Sequence, residues 1–234
     1  MRLDPAALSL AGGIAVGVVV WADGLCEPVN PGGIACYGWV AYRDGCKLAE
    51  GWGVAAKGAE ATNNVAEYRA VIEALEWLLA AGYKGEPVEV RSDSQLVIRQ
   101  LTGEYAVRSE RVRPLYRRAR RLLGRFRDVR LRWVPREQNE EADGLSRRAY
   151  AEALVAERAE RAAGLEVVFL GESRYRVRSG GGDGWYEVDL SVPFCPCRDF
   201  ARHRGLPGFR CKHLLAAEAF VNRAALASRA GRPV

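Results

Sequence analysis

Histidine is nearly missing from this chain: 234 residues hold only His203 and His213, so no histidine stands near any site in the first 200 positions. Long apolar runs are scarce as well. The stretch from Ala6 to Ala22 is almost free of charge, but Ser9, Gly12, Gly13 and Gly17 interrupt it and Asp23 closes it. A membrane span needs about 20 predominantly apolar residues, which excludes this one. Arg2 set against Asp4 is too weakly positive for a signal peptide, and cleavage would remove the strand that carries Asp23. Residues 1–13 are therefore expected to be a loose leader, and the protein to be cytoplasmic with no membrane partner. A disulfide framework is absent too. Of six cysteines, Cys26, Cys36 and Cys46 are scattered, while Cys195, Cys197 and Cys211 gather beside His213. That pattern fits reduced thiols with one metal cluster. Internal repeats are lacking, and lysine is rare. The net charge of +6 is carried almost entirely by arginine, whose planar fork suits phosphate.

What is present reads as an α/β fold. Val18-Val19-Val20 is a buried strand, and a Gly/Pro/Asn-rich loop follows Asp23. Ile34–Arg43 and Lys47–Ala56 make a hairpin about Asp44-Gly45. Thr62-Asn63-Asn64 caps a helix over about 64–81, with apolar residues at Ala70, Val71, Ala74, Leu75, Leu78 and Leu79 and a stop at Gly82. Val88–Val90 is a short strand running into Ser92-Asp93-Ser94, a helix start, with Leu96, Val97 and Leu101 facing inward. An arginine-rich helix covers about 109–124, Val129–Val134 is a fifth strand, and a last helix runs from Asn139 to about Ala163. The order implies a mixed five-stranded sheet with helices on both faces, strands four and five lying parallel to strand one. A domain over 14–163 then gives way at Gly164 to a small β/α module over 164–228, with residues 229–234 frayed. That module holds strands near 166–170, 175–178 and 185–190 and a helix from Cys211 to Ser228.

Four acids stand at element ends: Asp23 at a strand mouth, Glu67 in a first helical turn, Asp93 at the exit of strand four, and Asp143 at the start of the last helix. Carboxylates brought together without basic partners repel one another. Hard divalent cations with oxygen ligands, magnesium or manganese, relieve that repulsion. Two such ions about 3.5–4 Å apart clamp both the attacking and leaving oxygens of a phosphodiester.

These segments, DGLCEPVNPGG (23–33), TNNVAEYRAVIEAL (62–75), SDSQLVI (92–98) and VPREQNEEADGLSRRA (134–149), resemble the type I ribonuclease H family, in its compact archaeal-type branch. The resemblance implies a ribonuclease H-like sheet and hydrolysis of the RNA strand of RNA–DNA hybrids. It implies that Asp23, Glu67, Asp93 and Asp143 hold two ions. Asp23 would bridge both, Asp143 would serve the ion that activates water, and Glu67 with Asp93 the ion at the leaving 3′ oxygen. Cys26, Asn30, Asn63 and Asn64, with Gln95, are the implied contacts to 2′-hydroxyls, the group that separates RNA from DNA. The chain departs from the family in having no histidine before the fourth acid, where Arg136 and Glu137 stand instead. It also has no room for an extra basic helix. Arg108, Arg111, Arg113, Arg117, Arg118, Arg120 and Arg121, with only Glu110 nearby, are candidates for that grip.

Cys195-x-Cys197 and Cys211-x-His213 offer four ligands suited to one tetrahedral, structural zinc. PFCPCRDF and FRCKHLLA resemble a SWIM zinc finger, which implies binding to nucleic acid or to a protein partner. Arg198, Arg202, Arg204, Arg210 and Lys212 would form a basic collar around it. Two readings follow. One is a hybrid-cutting endoribonuclease, with double-stranded RNA and DNA left open as further ligands. The other is a non-catalytic nucleic-acid-binding adaptor on the same frame. Possession of all four acids favours the first.

Overall fold

A computed structural model describes residues 17–181 and 184–230. The expected leader over 1–13 lies outside the described residues, as does the end of the chain from 231. Five strands form one sheet: β1 (Val18–Glu27), β2 (Ile34–Arg43), β3 (Cys46–Lys57), β4 (Pro87–Ser92) and β5 (Asp128–Trp133). Their order is β3-β2-β1-β4-β5. β1 pairs antiparallel with β2 and parallel with β4, and β4 pairs parallel with β5, as the sequence implies. Asp44 and Gly45 both take positive φ in the hairpin turn.

Helices α1 (Asn63–Ala80), α2 (Gln95–Thr102), α3 (Arg113–Leu123) and α4 (Glu140–Ala162) complete this part. Thr62 is the N-cap of α1, its hydroxyl accepting from Val65 N. The core joins Val18, Val20 and Ala22 of β1 and Val88 and Val90 of β4 to Val71, Leu75 and Leu78 of α1, with Leu101 and Leu122 from α2 and α3. One inward assignment fails. Leu96 is exposed, while Val97, Ile98 and Leu101 are buried. With Ser94 capping α2, the stripe over positions 97, 98 and 101 faces the sheet and Leu96 falls off it.

The chain divides into two compact units between Tyr150 and Ala151, inside α4. Gly164, expected as the boundary, follows the end of α4 and takes a positive φ. The second unit holds an antiparallel sheet β6-β7-β8 (Val167–Gly171, Arg174–Arg178, Trp185–Asp189). Helix α6 (Lys212–Ala230) follows, preceded by a short helix α5 (Arg198–His203) within the expected loop. No helix among the described residues is long and apolar enough to cross a membrane.

Candidate active site and metal centre

Two glycines explain how helices carrying acids approach the strand that carries Asp23. Gly24 follows Asp23 on β1. A Cβ there would lie 2.3 Å from Glu67 N and 2.4 Å from Ala66 C, so the backbone of α1 rests directly on the strand. Gly38 is the cross-strand partner of Asp23. A Cβ on it would lie 2.5 Å from Ser146 N and 2.6 Å from Ala142 O, so α4 is seated the same way. No side chain fits at either place. The pair of glycines sets Glu67 and Asp143 beside Asp23.

Each acid has its own support. Asp23 is buried, and Ser146 Oγ donates to its Oδ2 at 2.5 Å. Burial is the main cause that raises its carboxyl from 3.8 to about 6. Asp93 and Asp143 push the same way, against the Ser146 hydrogen bond and Arg136. Glu67 lies in the second turn of α1 rather than the first, because the helix starts one residue earlier than expected. Its Oε2 accepts from Ser94 Oγ. Burial, reinforced by the charges of Asp23 and Asp93 and opposed by Ser94, raises it to about 7. Asp93 follows β4, and Asn139 Nδ2 donates to its Oδ1 at 2.8 Å and to Ala22 O at 3.1 Å. Asn139, itself buried, thus ties the exit of β4 to β1. Asp143 sits in the first turn of α4. Burial works against its charge, but hydrogen bonds from Arg147 and Arg136 outweigh that and hold its carboxyl below the usual range.

Asp23 thus feels Asp93 and Asp143, and Glu67 feels Asp23 and Asp93. Two of them resist ionisation, and the donor set is all carboxylate oxygen. That set fits a hard divalent cation, whose charge relieves both burial and repulsion.

The residues expected at the 2′-hydroxyls divide. Asn30 Oδ1 accepts from Asn63 N at 3.3 Å, which brings the loop after β1 to the head of α1. Asn63 and Gln95 are exposed and Asn64 is half-buried. Cys26 is buried and its thiol donates to Val29 O, so its side chain is not offered to a ligand. The arginine cluster is less bare than the sequence suggests. Arg111 pairs with Glu60, Arg113 with Glu110, and Arg118 grips Glu76 through two bonds of 2.8 and 2.9 Å. Arg120 donates to Leu101 O. Glu60 and Glu76 come from other segments, which local sequence spacing cannot reveal. Ser146, Ser94 and Asn139 escape sequence reasoning for the same reason, although Ser146 stands three residues after Asp143 on the same helix.

In the second unit, Cys195, Cys197, Cys211 and His213 are all buried, and their ligand atoms all lie within 4.8 Å of one another. Cys195 Sγ is 3.7 Å from His213 Nδ1. Tetrahedral zinc, with Zn–S about 2.3 Å and Zn–N about 2.0 Å, spaces such a pair roughly 3.5 Å apart. Hydrogen bonds among the packed thiols pull that of Cys197 well below its ordinary value and leave those of Cys195 and Cys211 above it, so one thiolate is shared by the cluster and a metal would displace the remaining protons. Cys197 also caps α5, and Tyr186 stacks on His213 at 4.4 Å. His203 turns away to the carbonyl of Asp199, itself gripped by Arg158 through two bonds of 2.6 Å. The four residues fit a zinc site.

Comparison with known proteins gives a family. Residues 34–149 match the family described as reverse transcriptase-like. Ribonuclease HI of Halobacterium salinarum is 44% identical over 125 residues, 53% of this chain and 60% of that protein. The solved N-terminal RNase H domain of Rv2228c from Mycobacterium tuberculosis is 37% identical, with a TM-score of 0.54 over 63% of this chain and 99% of that one. LC11-RNase H1, solved in complex with an RNA/DNA hybrid, is 33% identical, with a TM-score of 0.53 over 58% of this chain and 99% of that one. The chain spans 60% of the length of the halobacterial relative and 34% of the mycobacterial bifunctional protein Rv2228c.

Proposed function

Through its first unit this chain belongs to the type I ribonuclease H family, and on that premise we propose that it is an endoribonuclease cutting the RNA strand of RNA–DNA hybrids. The observation that supports this reading is the close seating of α1 and α4 on β1 at Gly24 and Gly38 and the Asn139 bridge from Asp93 to Ala22, which bring the acidic segments towards Asp23; burial and acidic neighbours push Asp23 and Glu67 towards the neutral form. Asp23, Glu67, Asp93 and Asp143 would hold two magnesium or manganese ions. Such ions supply the positive charge that stabilises the attacking and leaving oxygens of a phosphodiester.

The remaining work falls to the chain's own side chains. Ser146, Ser94 and Asn139 fix the directions of Asp23, Glu67 and Asp93, so that these carboxylates need no reorganisation when substrate arrives. Asn30, Asn63, Asn64 and Gln95 offer amides, which can donate to or accept from a 2′-hydroxyl, beside the main chain of Cys26. Arg108, Arg117 and Arg121 are exposed and suited to phosphates along the hybrid. The second unit is read as a SWIM-type module with one structural zinc on Cys195, Cys197, Cys211 and His213. Its exposed Arg198, Arg202 and Arg204 would add affinity for nucleic acid or a partner protein. Arg210 is engaged by Glu218 at 2.9 Å and contributes less.

The test is cleavage of end-labelled RNA in matched hybrid, double-stranded RNA and DNA duplexes, with the full chain and with Asp23→Asn. Magnesium-dependent cutting of the hybrid RNA by the parent alone supports the proposal. Equal cutting by both proteins overturns the assignment of the site to Asp23, and no cutting by the parent overturns the nuclease reading and leaves the binding adaptor.

A further inference from the structure

Of the four acids, Asp143 is the one whose two oxygens are both occupied by cations of the chain itself. Arg136 Nη2 donates to Oδ1 at 2.8 Å, and Arg147 Nε donates to Oδ2 at 2.7 Å. Asp23 and Glu67 instead accept from the hydroxyls of Ser146 and Ser94, which orient a carboxylate but leave its charge uncompensated. The two arginines differ in how they are held. Arg147 lies one turn along the same helix as Asp143, in an i,i+4 pair. Arg136 belongs to the separate short turn Arg136–Gln138, and its side chain is 66% exposed. It can leave without disturbing α4. Its charge also reaches Asp23. A monovalent guanidinium thus occupies one of the acids that the proposed function assigns to divalent ions.

We propose that Arg136 is a displaceable internal counter-ion of Asp143, which the incoming divalent cation must dislodge, so that this side chain sets the ion affinity of the site. The inference rests on the proposed ion site. A solvent-exposed ion pair contributes little to stability, so the clamp yields easily to an ion with several carboxylate ligands. In the ion-free protein it still neutralises Asp143 and limits repulsion among the acids. Arg147 remains in place and keeps Asp143 aligned when Arg136 departs. Once released, the guanidinium stands exposed beside the acids, where a backbone phosphate of the substrate is its natural next partner.

Calorimetric titration of the zinc-loaded full chain with Mn2+, without substrate, tests this. Arg136→Gln should bind Mn2+ about two- to five-fold more tightly than the parent, the range set by loss of one exposed competing pair. A variant that merely damaged the site would bind more weakly, so the sign separates the two causes. Arg148→Gln removes the same charge from a neighbouring guanidinium that stacks 3.9 Å over Trp52, and should change the affinity less than two-fold. Unchanged or weaker binding by Arg136→Gln, or equal tightening by Arg148→Gln, overturns the counter-ion role while leaving the ion site intact. If the parent shows no saturable binding that Asp23→Asn abolishes, the ion site itself fails, and this inference with it.

Discussion

Replacing Asp23 by asparagine should make the ion-free protein more stable at pH 8, although it removes a central acid of the site. The magnitude follows from the environment of Asp23. Burial and neighbouring acids raise its carboxyl from 3.8 to about 6 in the folded state. At 1.36 kcal/mol per pH unit, holding it ionised in the fold costs about 3 kcal/mol. Asparagine has the same shape, can still accept from Ser146, and carries no charge. The native state binds this proton more tightly than the unfolded chain does. The cost is therefore absent below about pH 4, grows between pH 4 and 6, and is complete above that window. Glu67 adds to the effect, because the charge of Asp23 is among the causes that raise it. The assay is thermal unfolding in ion-free buffer, followed by tryptophan fluorescence, with five of the six tryptophans (Trp21, Trp39, Trp52, Trp77 and Trp133) in the first unit. At roughly 2–4 °C per kcal/mol for a chain of this size, Asp23→Asn should melt up to about 6–12 °C above the parent at pH 8 and level with it near pH 4. Saturating Mg2+ should narrow the gap, since ions that bind the native parent stabilise it. A variant no more stable than the parent at pH 8, or a gap that does not widen from pH 4 to 7, would refute the electrostatic reasoning.

Other outcomes follow from the same geometry. Gly24→Ala should cost about 3 kcal/mol or more in denaturant unfolding and abolish hybrid cleavage, because its methyl group meets the backbone of α1 at Glu67. Gly144→Ala, in α4 with open space around its Cβ position, should instead raise stability by about 1 kcal/mol. Ser146→Ala removes a hydrogen bond that lowers the Asp23 carboxyl, so the acid limb of the pH–rate profile should move to higher pH. Cys211→Ser should abolish zinc retention and open residues 151–230 to proteolysis, while magnesium-dependent cleavage persists; complete loss of cleavage would make the second unit part of the catalytic machinery.

The framework of the site was legible in the sequence because each acid stands beside a sharp local signal. Asp23 follows a β-branched run, and Asp93 lies between a short strand and the capping Ser94. Glu67 follows the Thr62 cap, and Asp143 follows a Pro-bounded turn. Strand order followed from the hairpin and the crossovers. The supports were hidden, because they are tertiary. Nothing near Asn139 in the chain tells that its amide reaches Asp93 and Ala22, 46 and 117 residues away. Nor does the arginine-rich helix show locally that Glu76 will neutralise Arg118. The glycines at 24 and 38 were visible, but only the packed helices reveal what they admit. Helix α5 falls where the sequence predicts a loop, because its six residues are too few for a periodic pattern.

Anomalous scattering from a crystal of the full chain soaked in Mn2+ would test the central claim most directly. The account predicts manganese density in contact with Asp23 and shared among Glu67, Asp93 and Asp143, with the guanidinium of Arg136 moved off Asp143. Manganese bound elsewhere while these four carboxylates stay ion-free in a well-occupied crystal would contradict it.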